Sequence, residues 1–213
     1  MLLEEYVRED GVRYAAWKRN EADLQSLKQV VDSIGSHEVD IVSEKAQLAF
    51  YLNAYNAWIL HHMLKAYPAK GPLAASIMFF HKKNIVVAGE KMSFDHLEQK
   101  IIRPRFNEPR IHFALNCASL SCPPLYSRAF RDSSLDELLD KLTKDFFNAN
   151  DQALKIDHQK KVVYLTKLLD WYKKDFPDGV VQFINQYRSQ TLPAAYKIKF
   201  LKYDWSLNAS GDD

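Results

Sequence analysis

A long, largely apolar stretch at residues 46–67 restricts the folds open to this chain. It is apolar around most of a helical circumference, which predicts a helix packed on nearly all sides. A bilayer span needs about 20 mostly apolar residues, whereas the longest unbroken apolar run here is Leu48–Leu52. The stretch is interrupted by Asn53, Asn56, His61, His62 and Lys65. The sequence therefore predicts a helix buried inside a globular domain, not a membrane-spanning one.

Composition agrees with an ordinary globular domain. Of the 213 residues, 47% are hydrophobic and 26% are charged. Lys and Arg number 29 against 27 Asp and Glu, and the charges form no basic stripe, so nucleic acid is not an expected partner. The low counts of Gly (6), Pro (8) and Cys (2) exclude collagen-like, low-complexity and disulfide-scaffold proteins. We see no repeat or linker, so one domain over residues 1–208 is predicted, with a frayed tail at 209–213.

Periodicity and cap residues predict a helix-rich α+β domain. Asn20 and Ser43 are expected to cap helices over 21–34 and up to 67, and Ser134–Glu137 reads as a capping box for a helix ending near Asn150. Further helices are predicted at 2–8, 93–102, 166–175 and 178–188, and strands at 85–87, 110–116, 153–156, 162–165 and 197–203. The expected architecture is a single α+β domain with a central buried helix, a small, mostly antiparallel sheet and peripheral helices.

Both cysteines lie in one segment, 110–124, where a predicted strand carrying His112 runs into an irregular loop with Cys117 and Cys122. Loops of this kind often display active groups. A Cys within reach of a His can be held as the thiolate, which is the nucleophilic form. Alternation along a regular strand would put His112 and Cys117 on opposite faces, so the pair meets only if the chain turns near 116–118.

Glu98 is the nearest carboxylate in sequence that could orient His112. On its predicted helix it shares a face with apolar residues, and a carboxylate facing a core needs a partner such as His112 or Arg103. Glu98, His112 and Cys117 therefore have the residue types of an orienting group, a base and a nucleophile.

Residue chemistry alone leaves three interpretations of the cysteines. Cys117 is a nucleophile, or the two residues are a structural disulfide or buried thiols, or they are a redox pair. A disulfide across this short loop would stabilise the fold by about 2 kcal/mol and remove the free nucleophile. The spacing is longer than the Cys-x-x-Cys of most reactive dithiols. Because metal-ligand spacings, phosphate loops and dinucleotide fingerprints are missing from the sequence, no metal site and no cofactor are predicted.

Asn53 and Asn56 place two amides in an otherwise apolar helix. If buried, they must be hydrogen-bonded. They either tie the central helix to neighbouring loops or line a pocket and orient a substrate or a catalytic side chain.

Several segments together resemble the hallmark blocks of domain-of-unknown-function family 547, over residues 2–208. They are Gln47–Ala57, Met92–Glu98, Arg110–Pro124, Asp170–Phe176 and Tyr203–Asn208. Tyr51 stands where the family is expected to have Trp. The resemblance brings no established reaction, but it implies that the recurring residues of the family fall on a defined set here: Asn53, Asn56, Glu98, His112, Cys117 and Cys122. It also implies bacterial relatives that are exported, so a periplasmic or secreted location is expected, although residues 1–8 lack the apolar region of a signal peptide.

The recurring His and Cys favour a thiol-dependent hydrolase or acyl transferase acting on amide or thioester bonds, with a cleft analogous to that of cysteine proteases. Cys117 would attack, His112 would accept its proton, and backbone N–H groups of 118–122 would form an oxyanion site. The remaining polar residues expected to bind substrate or support the site are Ser119, Ser121, Cys122 and Arg103. The expected ligand is a small molecule or peptide. The rival hypotheses are a non-catalytic binding or scaffold domain with a Cys117–Cys122 clamp, and a thiol redox protein.

Overall fold

The apolar stretch forms the central helix α4, Glu44–Ala66. The Ser43 side chain caps it by accepting a hydrogen bond from the Ala46 backbone N–H at 3.2 Å, as predicted. Leu52 and Ala54 are fully buried, and the helix contributes many residues to the larger of the clusters of buried apolar side chains. The structure is a computed structural model that describes residues 2–39, 43–149 and 151–211. No helix within those ranges has both the length and the apolar character needed to cross a membrane.

Helices dominate the domain, which has the α+β architecture predicted. The other α-helices are α1 (Leu2–Tyr6), α2 (Tyr14–Arg19), α3 (Glu21–Ser36), α5 (Pro72–Ala75), α6 (Phe94–His96), α7 (Arg103–Phe106), α8 (Leu135–Ala149), α9 (Leu168–Trp171) and α10 (Val180–Tyr187). A π-helix at Leu97–Ile102 joins α6 to α7. Short 3-10 helices lie at Pro109–Phe113, Asp132–Ser134 and Lys173–Asp175.

The strands form three small sheets rather than one. They are β1 (Val7–Arg8), β2 (Gly11–Val12), β3 (Ile85–Val87), β4 (Glu90–Met92), β5 (Leu154–Asp157), β6 (Val162–Leu165) and β7 (Lys197–Phe200). The pairs β1–β2 and β3–β4 are antiparallel hairpins. In the third sheet β6 pairs antiparallel with β5 and parallel with β7. Strand pairing is therefore mostly antiparallel, as expected.

Several predicted boundaries differ from the structure. The helix predicted over 21–34 continues to Ser36, and the one predicted over 166–175 is divided into α9 and a 3-10 helix. The strand predicted to 203 ends at Phe200. The helix predicted to follow Ser134 begins at Leu135, after the 3-10 helix Asp132–Ser134, and is described to Ala149; the predicted end at Asn150 lies outside the described residues.

The strand predicted at 110–116 is wrong, because the chain forms the 3-10 helix Pro109–Phe113 there and continues as an irregular segment. Glu108 starts this helix, since its Oε1 accepts from the Arg110 backbone N–H at 2.9 Å. Its apolar side chains enter two different cores: Ile111 joins the cluster around α4, and Phe113 joins the cluster of α8, α10 and the third sheet. His112 is thereby placed at the junction of the two cores.

The C-terminal tail docks against the loop that carries both cysteines. Ser119 and Leu207 form an antiparallel bridge, and the Leu207 N–H donates to the Lys70 carbonyl at 3.0 Å. Gly71 has φ +137°, and a Cβ there would lie 2.2 Å from the Trp205 carbonyl oxygen, so only glycine allows this approach. Order continues past the predicted boundary at 208, because the Ser210 N–H donates to the Val12 carbonyl at 3.0 Å; residues 212–213 lie outside the described residues.

Candidate functional site

One cavity of about 270 Å³ holds four of the predicted site residues: Glu98, His112, Cys117 and Cys122. These residues come from the π-helix, the 3-10 helix at 109–113 and the loop that follows it. Much of the remaining lining is aromatic: Tyr55, Phe80, Trp171, Tyr172, Tyr203 and Trp205. The acid, imidazole and sulfur groups singled out in the sequence thus share one cavity.

The His112 imidazole is held from two sides. It is 4% exposed, its Nε2 lies 2.7 Å from Oδ2 of Asp175, and the Tyr172 ring stacks on it with centroids 4.1 Å apart. Arg103 holds the same carboxylate through two hydrogen bonds, Nε to Oδ2 and Nη2 to Oδ1, each of 2.7 Å. The carboxylate bonded to His112 is therefore that of Asp175, whereas the sequence placed Glu98 in this position.

Asp175 is an anion that is stabilised by hydrogen bonds from neighbouring side chains. Burial alone would raise the pKa of Asp175, but the hydrogen bonds from His112 and Arg103 outweigh this and hold it well below its usual range. An ionised carboxylate only accepts hydrogen bonds, so the Nε2 of His112 must carry the proton of their shared bond. The imidazole is thereby fixed in both orientation and tautomer when it is neutral.

Glu98 occupies a different part of the same cavity. It lies on the π-helix, an irregularity that is frequent at functional sites, and its side chain is buried with Tyr172 and Tyr55. Nε2 of Gln99 donates to Oε1 of Glu98 at 3.1 Å. Burial raises the pKa of Glu98, although the nearby Tyr172 acts to lower it. A carboxyl with a raised pKa beside an imidazole is an arrangement found where acid–base chemistry occurs.

Cys117 and Cys122 are joined as a disulfide. Hydroxyl groups surround its sulfurs: Tyr203 Oη lies 3.1 Å from Sγ of Cys117 and 3.2 Å from Sγ of Cys122, and Ser119 Oγ lies 2.8 Å from Sγ of Cys117. The Cys117 backbone N–H also donates to the Cys122 sulfur at 2.9 Å. Burial raises the pKa of Tyr203 to about 12, so its hydroxyl remains protonated and can donate to a sulfur.

The loop that follows Cys117 does not offer the backbone oxyanion site that the sequence suggested. Four of the five N–H groups in 118–122 already donate inside the protein, and their acceptors are Asn116 Oδ1, the Ser206 carbonyl, the Asp204 carbonyl and the Ser119 carbonyl. The Ser121 hydroxyl is also engaged, because it accepts from the Asp204 N–H at 2.9 Å. Side chains are therefore a better source of hydrogen-bond donors toward a substrate than this stretch of backbone.

Asn53 and Asn56 both hold backbone segments against α4. Asn53 donates to the Phe130 carbonyl and accepts from the Phe130 N–H, each at 2.9 Å. Asn56 donates to the Ala114 carbonyl at 3.0 Å and accepts from the Asn116 N–H at 2.9 Å. The two side chains also border a second, largely apolar cavity of about 760 Å³, but both ends of each amide are already bonded to backbone.

Asn116 continues this support towards the disulfide. Its Nδ2 donates to the Pro123 carbonyl at 2.7 Å, and its Oδ1 accepts from the Ala118 N–H at 2.8 Å and from Asn208 Nδ2 at 3.2 Å. Asn208 in turn accepts from the Tyr14 hydroxyl at 2.9 Å. A chain of buried amides therefore fixes the loop from both sides of its disulfide.

Sequence reasoning missed one anion and most of the aromatic wall. Asp175, Trp171 and Tyr172 lie in the block Asp170–Phe176, and Tyr203 and Trp205 lie in the block Tyr203–Asn208. Both blocks were recognised as resembling the family, so the signal was present. What the sequence did not show was that these late segments return to the cavity beside His112.

The described residues include no group of three or more His, Cys, Asp or Glu side chains placed to hold a metal ion. Comparison with known proteins finds that the sequence model of the family described as "Protein of unknown function, DUF547" matches residues 39–147, just over half of the chain. Neither a curated protein nor a solved structure matches the chain. The likeness to cysteine proteases stays a prediction.

Proposed function

The chain belongs to the DUF547 family of proteins of unknown function, and we propose that its 270 Å³ cavity is the active site of a thiol-dependent hydrolase or acyl transferase. The reacting bond would be an amide or a thioester, and Cys117 would act once its disulfide with Cys122 is reduced. The observation that carries the proposal is that one cavity is lined by a cysteine sulfur and by an imidazole whose Nε2 is fixed on a carboxylate.

The proposed chemistry begins with reduction by a dithiol, which becomes a disulfide as Cys117 and Cys122 become thiols. His112 donates through Nε2 to Asp175, so its Nδ1 is the nitrogen that can accept the Cys117 thiol proton. The resulting thiolate attacks the substrate carbonyl carbon. A sulfur–carbon bond forms, the bond to the leaving nitrogen or sulfur breaks, and the leaving group takes the proton from Nδ1.

Release of the acyl group distinguishes the two reaction types. Attack by water regenerates the Cys117 thiol and gives a hydrolase, whereas attack by another nucleophile gives an acyl transferase. The Ser119 and Tyr203 hydroxyls lie next to the Cys117 sulfur and are the donors best placed for the negative charge that develops on the carbonyl oxygen. Asp175 and Arg103 act as positioning residues, because they hold the imidazole without contacting the substrate.

Thiol reactivity tests the proposal without knowledge of the substrate. The chain has two cysteines, so Cys122→Ser leaves Cys117 alone, and its alkylation by iodoacetamide can be followed by intact mass across pH. An ordinary thiol has a pKa of about 8.5; we expect Cys117 to reach its full alkylation rate well below that pH. His112→Gln in the Cys122→Ser background should lower the rate near pH 7 by roughly tenfold.

The matched control is Cys117→Ser, which leaves the buried Cys122 as the single thiol and should alkylate slowly. If Cys117 titrates like an ordinary thiol and His112→Gln does not change its rate, the hydrolase and transferase mechanism is wrong. Circular dichroism of each variant establishes that the comparison is made between folded proteins.

A non-catalytic binding domain is the second candidate, favoured by the closed disulfide and by the pairing of its loop with the C-terminal tail. In that case the bridge serves as a clamp, and reducing it lowers stability without creating an activated thiol. Equilibration in glutathione buffers separates both candidates from a redox protein, for which the pair must interconvert within the range those buffers cover.

A further inference from the structure

We propose that the aromatic side of this cavity binds an ammonium group of the substrate, with Asp95 and Glu98 complementing its charge. The inference rests on the proposed function for the identity of the reacting bond, and it adds the chemical class of the group beside that bond. A substrate of this class is an amide or thioester that carries a cationic nitrogen near the cleaved position.

The charge of the cavity lining is the first observation. Among the described residues that line it, the acidic ones are Asp95 and Glu98, the other titratable side chains besides the tyrosines are His81 and His112, and none is Lys or Arg. Arg103 is absent from the lining; its guanidinium carbon lies 4.9 Å from the centroid of the Tyr172 ring, and its guanidinium is hydrogen-bonded to Asp175. The cavity therefore favours a cationic ligand and disfavours a carboxylate.

The aromatic wall is the second observation. Trp171 lies 4.8 Å from Tyr203 and 5.9 Å from Trp205, and Tyr203 lies 4.5 Å from Trp205, measured between ring centroids. Trp171 is 45% exposed, whereas tryptophan side chains are on average largely buried. The three rings form one continuous surface on the edge of a cavity that also contains carboxylates.

Aromatic faces and carboxylates together recognise a cation better than either does alone. The negative face of an indole or phenol ring attracts an ammonium ion within about 6 Å of the ring centroid, and cages of this kind are used for quaternary ammonium ligands. A neutral apolar ligand would contact the rings equally well but would gain nothing from the acidic side chains. Selectivity for the charge, not for the shape, is therefore the property that identifies this site.

A pair of isosteric probes separates charge from shape. Choline and its neutral carbon isostere, 3,3-dimethylbutan-1-ol, can be titrated into the oxidised protein and followed by tryptophan fluorescence and by chemical shifts of the indole N–H groups. We expect choline to bind at least about fivefold more tightly than the isostere. Trp171→Ala should remove most of this preference and Asp95→Asn should reduce it by about threefold.

Two control variants lie outside the cavity lining. Trp58, whose indole N–H donates to the Val86 carbonyl, is the control for Trp171, and the exposed Asp145 on α8 is the control for Asp95. Trp58→Phe and Asp145→Asn should leave the preference for choline unchanged.

Equal affinity for choline and its isostere, or a preference that survives Trp171→Ala, would overturn the assignment of an ammonium site. Because these titrations use the oxidised protein, they do not depend on Cys117 chemistry. A failure here together with rapid, His112-dependent alkylation of Cys117 would reject the substrate class and leave the proposed function standing. The reverse result would leave a cation-binding cavity without thiol chemistry.

Discussion

Asp175→Ala is expected to lower the free energy of unfolding by about 2–4 kcal/mol, because it removes the hydrogen-bond acceptor that Arg103 and His112 share. Arg103 loses two hydrogen bonds and His112 loses its bond through Nε2. The side chains of Arg103 and His112 are only 21% and 3% exposed, so water replaces the carboxylate poorly. Urea denaturation of the oxidised protein at about pH 7 measures the loss.

The control for this variant is Asp145→Ala. Asp145 forms an ion pair with Lys141 on α8, where both side chains are more than half exposed, and such surface pairs contribute about 0–1 kcal/mol. If Asp175→Ala costs no more than Asp145→Ala, then Asp175 does not hold the imidazole in place, and its role as a positioning residue is rejected.

The contribution of Asp175 to the free energy of unfolding should decrease at low pH. The pKa of Asp175 is lower in the folded protein than its ordinary value of 3.8, so its ionisation stabilises the fold above that pH, and this stabilisation is lost as the pH falls through the lower folded value. The difference in stability between the wild type and Asp175→Asn should be complete near pH 6 and shrink below about pH 4. Carboxyl groups remote from Asp175 contribute equally in the two proteins and cancel in the difference.

The parts of the fold that sequence predicted well are those set by neighbours along the chain. Ser43 and Asn20 cap their helices because a hydroxyl or amide oxygen there reaches an N–H three residues later. The burial of α4 follows from its own apolar circumference, and the hairpin β5–β6 follows from an alternating segment and a short apolar segment with a polar tip between them. In each case the deciding interactions are local.

The segment after Pro109 was misread because its burial has two distant causes. Ile111 and Phe113 alternate with His112 as they would in a strand, but they are buried in separate cores that meet only in three dimensions. A side chain of Glu108 and the fixed φ of Pro109 favour a helical turn locally. Alternating apolar residues are compatible with either structure, and the tertiary packing decides between them.

The candidate site was predictable in its residue types but not in its pairing. Glu98, His112 and Cys117 do line one cavity, and their chemistry drew attention to them. Asp175 is 63 residues beyond His112, and its carboxylate is one of many in the sequence. The cluster of α8, α10 and the third sheet packs against the cluster around α4, and this packing decides which carboxylate contacts the imidazole. The local sequence does not indicate how the two clusters pack together.

Asn116→Leu is expected to lower the free energy of unfolding by about 3–4 kcal/mol, although the side chains have similar volumes, because three buried groups lose their partners. The groups are the Ala118 N–H, the Pro123 carbonyl and the Asn208 amide. Since Ala118 follows Cys117 directly and Pro123 follows Cys122 directly, we expect dithiothreitol to reduce the disulfide of this variant faster than that of the wild type, which mass spectrometry after alkylation measures. Asn84→Leu is the matched control: the Asn84 Oδ1 is buried without a hydrogen-bond partner in the described residues, so its loss should cost less than about 1 kcal/mol. If the two variants were equally stable, or the disulfide of Asn116→Leu were reduced at the wild-type rate, the amide network would not be what holds the cysteine loop against the cavity.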